Sequence, residues 1–550
     1  MTIEKILTTA LRESGYYVFA TRTYMSRVRG GANSTLIRVS PTPVTAPVER
    51  VDIFAALNTT ALDYYAQRIK RGTVVLGDQS VVERVPSSAT AIELPFRQIA
   101  ADIGDTVYAN SVAAGAIMAL LDVEPDAAYT AVHTLFDAKG PKIVDRNVLA
   151  VRRGYKQGSH AAFLHDVLRP LARADRDHAH HRFLTGAEAV ALGALAGGAD
   201  FCTSYPMSPS TGVLTHLAQY GEACGMVVEQ ATDEIGAINM SVGASYAGAR
   251  PIITTSGGGF ALMEEAISLA AMTETPVTIH VAQRPGPATG LPTRTAQEDL
   301  NLVLHAGHGE FARAIYAPGD HAEAFALSQR ALAVAAQYQI PTFLLTDQYF
   351  MDTLLMTRDE DFVFEPVEKH IVSTTARYAR YTLTDDGISP RGVPGYGDGF
   401  VCADSDEHDE SGHITEDLSL RVTMVDKRRR RLRALAKTAI MPTRYGARGA
   451  AAKRALIVWG SNKCVAREAL DASGATDVTV LHFSQLYPLH PRVAAALKKF
   501  TTITVAENNA TGQFADLLMR ETAVTVHSRI TRYDGSPFTV EELAKNIAKR

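Results

Sequence analysis

The chain has 550 residues, 46% of them hydrophobic and 21% charged, with a formal net charge of −4 at pH 7. That balance argues against a nucleic-acid or anionic-membrane surface, and no uninterrupted apolar run reaches the ~20 residues of a membrane span. At roughly 150 residues per domain the length calls for three or four domains. Cys202, Cys224, Cys402 and Cys464 are widely spaced, with no Cys-x-x-Cys pair. This points to a reducing compartment and away from an iron–sulfur or zinc site built by this chain alone. The N-terminus lacks a signal-peptide pattern, so a cytoplasmic protein is expected.

In chain order, residues 1–158 read as one α/β unit. A helix over 3–13 leads to strands at 16–20, 35–39, 51–56 and 73–76, then to a small-residue helix over 111–121. Residues 159–183 have linker character, and the histidines His178, His180 and His181 are expected to be solvated there rather than to bind metal. Residues 184–372 alternate strand and helix with short loops, which indicates a doubly wound parallel sheet. Residues 373–441 are irregular and end in the basic run Lys427-Arg428-Arg429-Arg430-Arg431, expected to form one solvated helix. Residues 442–550 resume α/β alternation, with strands at 455–459, 477–482 and 501–506.

The chemistry concentrates at strand ends of the central domain. Thr203-Ser204-Tyr205-Pro206-Met207-Ser208-Pro209-Ser210-Thr211 turns a buried strand into a helix, with Ser208 expected at the N-cap and Pro209 at the first helical position. Such a bend opens onto the ligand crevice of a parallel sheet, although it is also a well-made structural turn. A second strand ends in Thr255-Ser256-Gly257-Gly258-Gly259-Phe260 before a helix over 261–271. Glycines there allow a ligand close to free N–H groups, or simply serve close packing. A third ends at Gln283-Arg284, then Pro285-Gly286-Pro287-Ala288-Thr289-Gly290. The planar fork of a strand-end arginine suits a carboxylate, from a ligand or from the protein itself.

Between these, Glu234 opens a helix in which Ile235, Ile238 and Val242 recur at helical spacing, and Gly236, Ala237, Gly243, Ala244 and Ala247 leave a smooth face. Glu234 is either a helix-dipole carboxylate or a buried acid able to hold or share a proton. The acidic-His stretch 404–417 offers hard-metal ligands in principle, but a solvated strap at a subunit interface is the expectation.

Taken together, the segments resemble the α subunit of 2-oxoacid:ferredoxin oxidoreductases. The resemblance is carried by Tyr-Pro-Met-Ser-Pro-Ser-Thr (205–211), by Glu234 ahead of Asn239-Met240-Ser241-Val242-Gly243, and by Arg284 with Gly286-Pro287-Ala288-Thr289-Gly290-Leu291-Pro292-Thr293. It extends to Asp404-Ser405-Asp406-Glu407-His408, to Glu507-Asn508-Asn509-Ala510-Thr511-Gly512-Gln513 and to Tyr533-Asp534-Gly535. Tyr24-Met25-Ser26-Arg27-Val28-Arg29-Gly30-Gly31 resembles the family's γ domain, fused here ahead of α.

The resemblance implies a multi-domain α/β protein of doubly wound parallel sheets: a γ-type domain (1–158), a linker (159–183), a thiamine diphosphate pyrimidine-binding domain (184–372), a strap (373–441) and a transketolase C-terminal-like domain (442–550). It implies oxidative decarboxylation of a 2-oxoacid, with 2-oxoglutarate favoured by the fused γ–α order and the acidic-His strap. Acyl-CoA and CO2 are the products, and electrons pass to ferredoxin. Glu234 would hydrogen-bond the cofactor's N1′. Tyr205, Pro206, Gly257 and Gly258 would line its pocket. Arg284, Ser208 (where the family usually has Thr) and Thr289 would bind the substrate, with coenzyme A as co-substrate. A separate β subunit would hold the diphosphate, its Mg2+ and a [4Fe-4S] cluster, in an (αβ)2 heterotetramer, and this chain would bind no metal.

Two departures stand out. The γ-type domain of the family opens with a Gly-rich βα loop, whereas Met1-Thr2-Ile3-Glu4 already reads as the following helix, so either the start is misplaced or that strand and loop are absent. Gly397-Asp398-Gly399 imitates a diphosphate-metal motif, but no Asn pair follows at the usual spacing of roughly 25–30 residues. The competing readings are a self-sufficient thiamine-dependent decarboxylase or transferase, which that missing motif disfavours, and a catalytically silent assembly subunit, which Ser208, Glu234 and Arg284 disfavour.

Overall fold

The computed structural model describes residues 2–26, 33–172, 178 and 180–549. The Arg27-Val28-Arg29-Gly30-Gly31 part of the N-terminal resemblance and the charged run 173–177 lie outside the described residues. The chain forms two units, one of Met1–Phe183 with Thr353–Asp359 and Thr539–Glu541, the other of Leu184–Asp352 with Glu360–Phe538 and Glu542–Arg550.

In the first unit the helix Thr2–Glu13 buries Ile6, Leu7, Ala10 and Leu11, one apolar stripe at helical spacing. The strand Tyr17–Thr23 pairs antiparallel with Ser34–Ser40 on one side and with Leu354–Arg358 on the other. A separate parallel sheet joins Ile53–Ala56, Val74–Gly77 and Thr90–Glu93. The small residues of Ala109–Leu120 serve backbone-to-backbone packing on Pro141–His165. A Cβ on Gly115 would lie 2.1 Å from the Val151 carbonyl, and one on Gly154 2.0 Å from that of Val112.

The expected linker is shorter than its sequence suggested. Buried Gly158, Ala161 and Ala162 carry the helix Pro141–His165 past residue 158, and His181–Thr185 is already a strand. His178 is not solvated either. It is buried edge-on against Tyr17, with ring centroids 4.6 Å apart.

The second unit is built on a seven-stranded sheet. Its order is Gln485–Tyr487, Ala314–Tyr316, Pro341–Asp347, Val277–Gln283, Pro251–Thr255, Phe201–Ser204, Val227–Gln230. All neighbours are parallel except the first pair. Near-continuous apolar strands such as Pro251–Thr255 and Pro341–Asp347 are buried along their length, as covering both faces with helices demands. His280 cross-links the centre: its Nδ1 pairs with Thr254 Oγ1 and its Nε2 with Thr346 Oγ1, both at 2.8 Å. Complete burial pushes this imidazole down to about 3. A five-stranded sheet, Thr443–Gly446, Val478–Phe483, Arg454–Trp459, Thr502–Glu507 and Ser528–Thr531, contains the three strands expected near the C-terminus.

The basic run is a helix, Leu418–Lys437, but not a solvated one. Met424, Lys427, Arg428, Arg431 and Leu435 form its buried stripe, so cations occupy core positions. Glu274 explains them: Lys427 Nζ lies 2.7 Å and Arg431 Nη2 2.5 Å from its Oε1. Burial alone would push the Glu274 carboxyl up, yet the Arg431 and Lys427 charges hold it down at about 2. The acidic-His strap is anchored at its centre as well. Glu407 pairs with Arg428 at 2.9 Å, and buried His408 packs tilted against Tyr381 with centroids 3.9 Å apart. Among the described residues no helix is long and apolar enough to cross a membrane.

Candidate active site

Three loops at the C-terminal ends of parallel strands converge on one place, the crevice position expected of an open α/β sheet. The first follows Phe201–Ser204. The buried Ser204 Oγ accepts from the Thr254 N–H at 3.0 Å, fixing the end of its strand to the next. The helix does not begin as expected. Ser208 is exposed and caps nothing, because residues 207–210 first make a turn closed by the Ser210 N–H on the Met207 carbonyl at 2.9 Å. Ser210 takes the N-cap position, its hydroxyl donating to the same carbonyl at 2.7 Å, and the helix is Thr211–Gly221. The extra turn frees the Ser208 carbonyl, which accepts from Arg284 Nη1 at 2.6 Å. Two predicted site residues are thereby in direct contact. Tyr205 is 39% exposed beside them.

The second loop is the tri-glycine turn. Here too the helix differs from the expected 261–271: it starts at Gly257 as Gly257–Phe260, passes through the single turn Ala261–Met263 and resumes as Glu264–Met272. Each glycine faces something different. A Cβ on Gly259 would lie 2.6 Å from Glu234 Oε1, and one on Gly257 2.5 Å from Asp299 Oδ2. A Cβ on Gly258 would have only the Ala288 carbonyl, at 4.0 Å, so that position opens into the crevice toward the third loop. Residues 285–291 close on themselves through the Leu291 N–H and Pro285 carbonyl at 3.0 Å, and the Gly286 N–H donates to Glu298 Oε2 at 3.0 Å. Gly290 has φ +50°, and a Cβ there would sit 1.8 Å from the Pro285 carbonyl, so the loop requires glycine. Thr289 is exposed on it.

Glu234 is the first residue of the helix Glu234–Tyr246, whose N-cap Asp233 accepts from the Gly236 N–H at 2.6 Å. The helix is bolted to the sheet by Thr203, whose hydroxyl donates to the Ala237 carbonyl at 2.6 Å and meets Ser241 Oγ at 2.8 Å. Glu234 is only 4% exposed, and its Oε1 is buried without a hydrogen-bond partner. A buried carboxyl oxygen in that state is costly unless a donor reaches it from outside the chain. The expected apolar stripe is split. Ile238 and Val242 are buried, whereas Ile235 is 52% and Met240 43% exposed, and a Cβ on Gly243 would touch nothing within 4 Å. The small residues are split too: Ala237 is fully buried, whereas Gly243 and Ala247 are exposed beside Met240.

Sequence reasoning missed Asp299. Its Oδ2 is also buried without a partner, and its backbone N–H donates to Gln283 Oε1 at 3.0 Å. Burial chiefly, then the neighbouring Glu298 charge, pushes the carboxyl up to about 7 against the pull of Arg284. Burial disfavours the charged form of Arg284 in turn. The available signal was weak: an aspartate ahead of a short helix, Leu300–His305, looks like an ordinary cap, yet its side chain makes no cap bond.

Comparison with known proteins falls on the same segments. Residues 192–427 match the family model described as pyruvate flavodoxin/ferredoxin oxidoreductase, thiamine diphosphate-binding, and residues 1–157 match that of pyruvate ferredoxin/flavodoxin oxidoreductase. The α subunit of a 2-oxoacid:ferredoxin oxidoreductase from Sulfolobus is 30% identical over 100% of this chain and 94% of its own length. The 2-oxoglutarate oxidoreductase subunit KorA of Mycobacterium tuberculosis is 30% identical over 74% of this chain and 63% of its own. A solved 2-oxoglutarate:ferredoxin oxidoreductase from Magnetococcus marinus, with 2-oxoglutarate, coenzyme A and succinyl-CoA bound, superposes with a TM-score of 0.91. It shares 29% identity over 99% of this chain and 96% of that one.

Proposed function

The chain belongs to the family of 2-oxoacid:ferredoxin oxidoreductase α subunits, and from that premise we propose that residues 204–211, 234, 257–259 and 284–290 form its half of a thiamine diphosphate site for oxidative decarboxylation of 2-oxoglutarate. The observation that carries the proposal is the unpartnered, buried Glu234 Oε1 behind a glycine that leaves it room. Those features fit an aminopyrimidine ring, whose N1′ would share a proton with this oxygen. Thiamine diphosphate, when bound, supplies the carbon nucleophile and takes up the electron pair left as CO2 departs.

The chain's own residues do the rest. Glu234 would hold the N1′ proton, the open turn at Gly257 and Gly258 would admit the ring, and Tyr205 and Pro206 would line its pocket. Arg284 pairs with the substrate carboxylate through donors other than the one its Nη1 gives to the Ser208 carbonyl. Ser208 and Thr289, both exposed, offer hydroxyls to the 2-oxoacid.

A β partner would hold the diphosphate, its Mg2+ and a [4Fe-4S] cluster, with coenzyme A taking the acyl group and ferredoxin the electrons, in an (αβ)2 assembly in the cytoplasm. The exposed side of the helix Glu234–Tyr246, with Ile235, Met240 and Tyr246, supports a protein partner on that side of the site. The test is Glu234→Gln in the enzyme assembled with its partner. An isosteric amide keeps the fold but cannot share the proton, and kcat is expected to fall by about 10²–10⁴. An unchanged kcat in a folded variant refutes the site.

A further inference from the structure

The carboxyl of Asp299 lies behind the site rather than in it. Its two oxygens and its Cγ stand 2.5 to 2.7 Å from the point where a Gly257 Cβ would be, flat against the turn. Its backbone is tied through Gln283 Oε1 to the residue just before Arg284, and Gln283 is itself anchored by its Nε2 on the Thr346 carbonyl at 3.1 Å. Yet Arg284 gives its short hydrogen bond to Ser208, and among the described residues no ion pair joins it to Asp299. A buried carboxylate with an unpartnered oxygen and a guanidinium near but not on it is poorly satisfied when ionised and less costly when neutral.

The charges that bear on it are few. Glu298 adjoins it in the chain, Arg284 faces it from the end of Val277–Gln283, and Glu234 stands beyond the glycine turn against Gly259. The turn Gly257–Phe260 carries no charged residue, and the helix Gln513–Thr522 presents neutral Gln513 to the Glu298 carbonyl at 2.7 Å.

We infer that Asp299 is a positioning residue that makes recognition of the 2-oxoacid carboxylate by Arg284 proton-linked: the anion binds productively when Asp299 is protonated, and its arrival draws a proton from water onto Asp299. The inference rests on the reading of Arg284 given above. With Asp299 ionised, Arg284 faces two anions and shares itself between them. With Asp299 neutral, the whole guanidinium charge is available to the substrate, and Oδ2 can carry the proton without competing for the cation. The proton returns to water when the anion leaves, so none is consumed per turnover by this step.

The experiment is the pH profile of steady-state constants in the assembled enzyme. For wild type, KM for the 2-oxoacid is expected to be flat below about pH 7 and to rise above it toward tenfold per pH unit, with KM for coenzyme A unmoved. In Asp299→Asn the 2-oxoacid KM should stay within about twofold over the same range. Glu298→Gln removes the like charge and should move the inflection to lower pH, which keeps the test decisive should Asp299→Asn fold poorly. Calorimetry of 2-oxoacid binding in buffers of different ionisation heat should show proton uptake above pH 7 in wild type and none in Asp299→Asn. A wild-type slope retained in Asp299→Asn, or no uptake in wild type, overturns the inference while leaving Arg284 standing. An Arg284→Lys enzyme with wild-type KM at every pH overturns the reading of the site itself.

Discussion

Substituting Gly259 by alanine puts the geometry of the site under direct test. The new Cβ would lie 2.3 Å from Thr255 Oγ1 and 2.6 Å from Glu234 Oε1. Ordinary contact begins at 3.4 Å, so the carboxyl oxygen must retreat by about 0.8 Å unless the turn itself moves. Overpacking of this kind costs about 1–3 kcal/mol, and a displacement near 1 Å at a reacting group costs on the order of 10²-fold in rate. Gly258→Ala is the internal control for stability. Its Cβ would meet nothing closer than the Ala288 carbonyl at 4.0 Å, and alanine is the better helix former by about 1 kcal/mol. Gly259→Ala is therefore expected to lower the melting temperature and to reduce kcat about 10²-fold. Gly258→Ala should melt no lower than wild type while weakening cofactor binding. The measurements are thermal unfolding of the purified chain and dye-coupled turnover of the assembled enzyme. A Gly259→Ala enzyme with wild-type kcat would refute the placement of Glu234 behind this glycine.

Further outcomes follow from the same contacts. Arg284→Lys keeps the charge but loses the planar fork, so KM for the 2-oxoacid should rise and kcat/KM fall, read from initial rates. Glu274→Gln leaves Lys427 and Arg431 buried without a counter-charge and should cost about 3–5 kcal/mol in urea unfolding. Burial lowers His280 to about 3 and His321 and His482 to about 4, so these rings stay neutral in the folded chain while the unfolded chain protonates them below about pH 6.5. Stability should therefore fall on acidification from pH 6.5 toward 4, at up to roughly 4 kcal/mol per pH unit for three protons. Glu274, held at about 2, adds a further loss between about pH 4 and 2. A melting temperature independent of pH between 6.5 and 4 would contradict these buried neutral rings.

Much of this architecture could be read in advance, because burial on both faces writes itself into apolar strand runs such as Pro251-Ile252-Ile253-Thr254-Thr255. The loops that carry chemistry were also legible, since strand ends with prolines, glycines or an arginine violate the pattern around them. What misled was in most cases a partner distant in sequence. Nothing near Lys427 or Arg431 says that Glu274 waits for them in the core, and nothing near His178 points to Tyr17. The N-cap was misassigned to Ser208 because a proline at a first helical position and a proline inside a preceding turn look alike in one dimension. Asp299 escaped for the same reason: its significance lies in Gly257 and Arg284, and the sequence shows only an acid before a short helix.

The antiparallel edge strand Gln485–Tyr487 pairs with Ala314–Tyr316, and Leu354–Arg358 pairs with Tyr17–Thr23. Both pairings join an early strand to one translated much later. Neither sheet is finished when the stretch that supplies most of its strands has left the ribosome, and each waits with an open edge for a strand translated much later. Unpaired edges recruit other chains, and domains otherwise tend to fold in the order in which they emerge. Nascent chains arrested between residues 360 and 480, in which Ala314–Tyr316 still lacks its Gln485–Tyr487 neighbour, should therefore depend on chaperones far more than the finished protein. Fragments cut at the apparent boundary near residue 372 should likewise aggregate when expressed alone, although that boundary looks natural in the sequence.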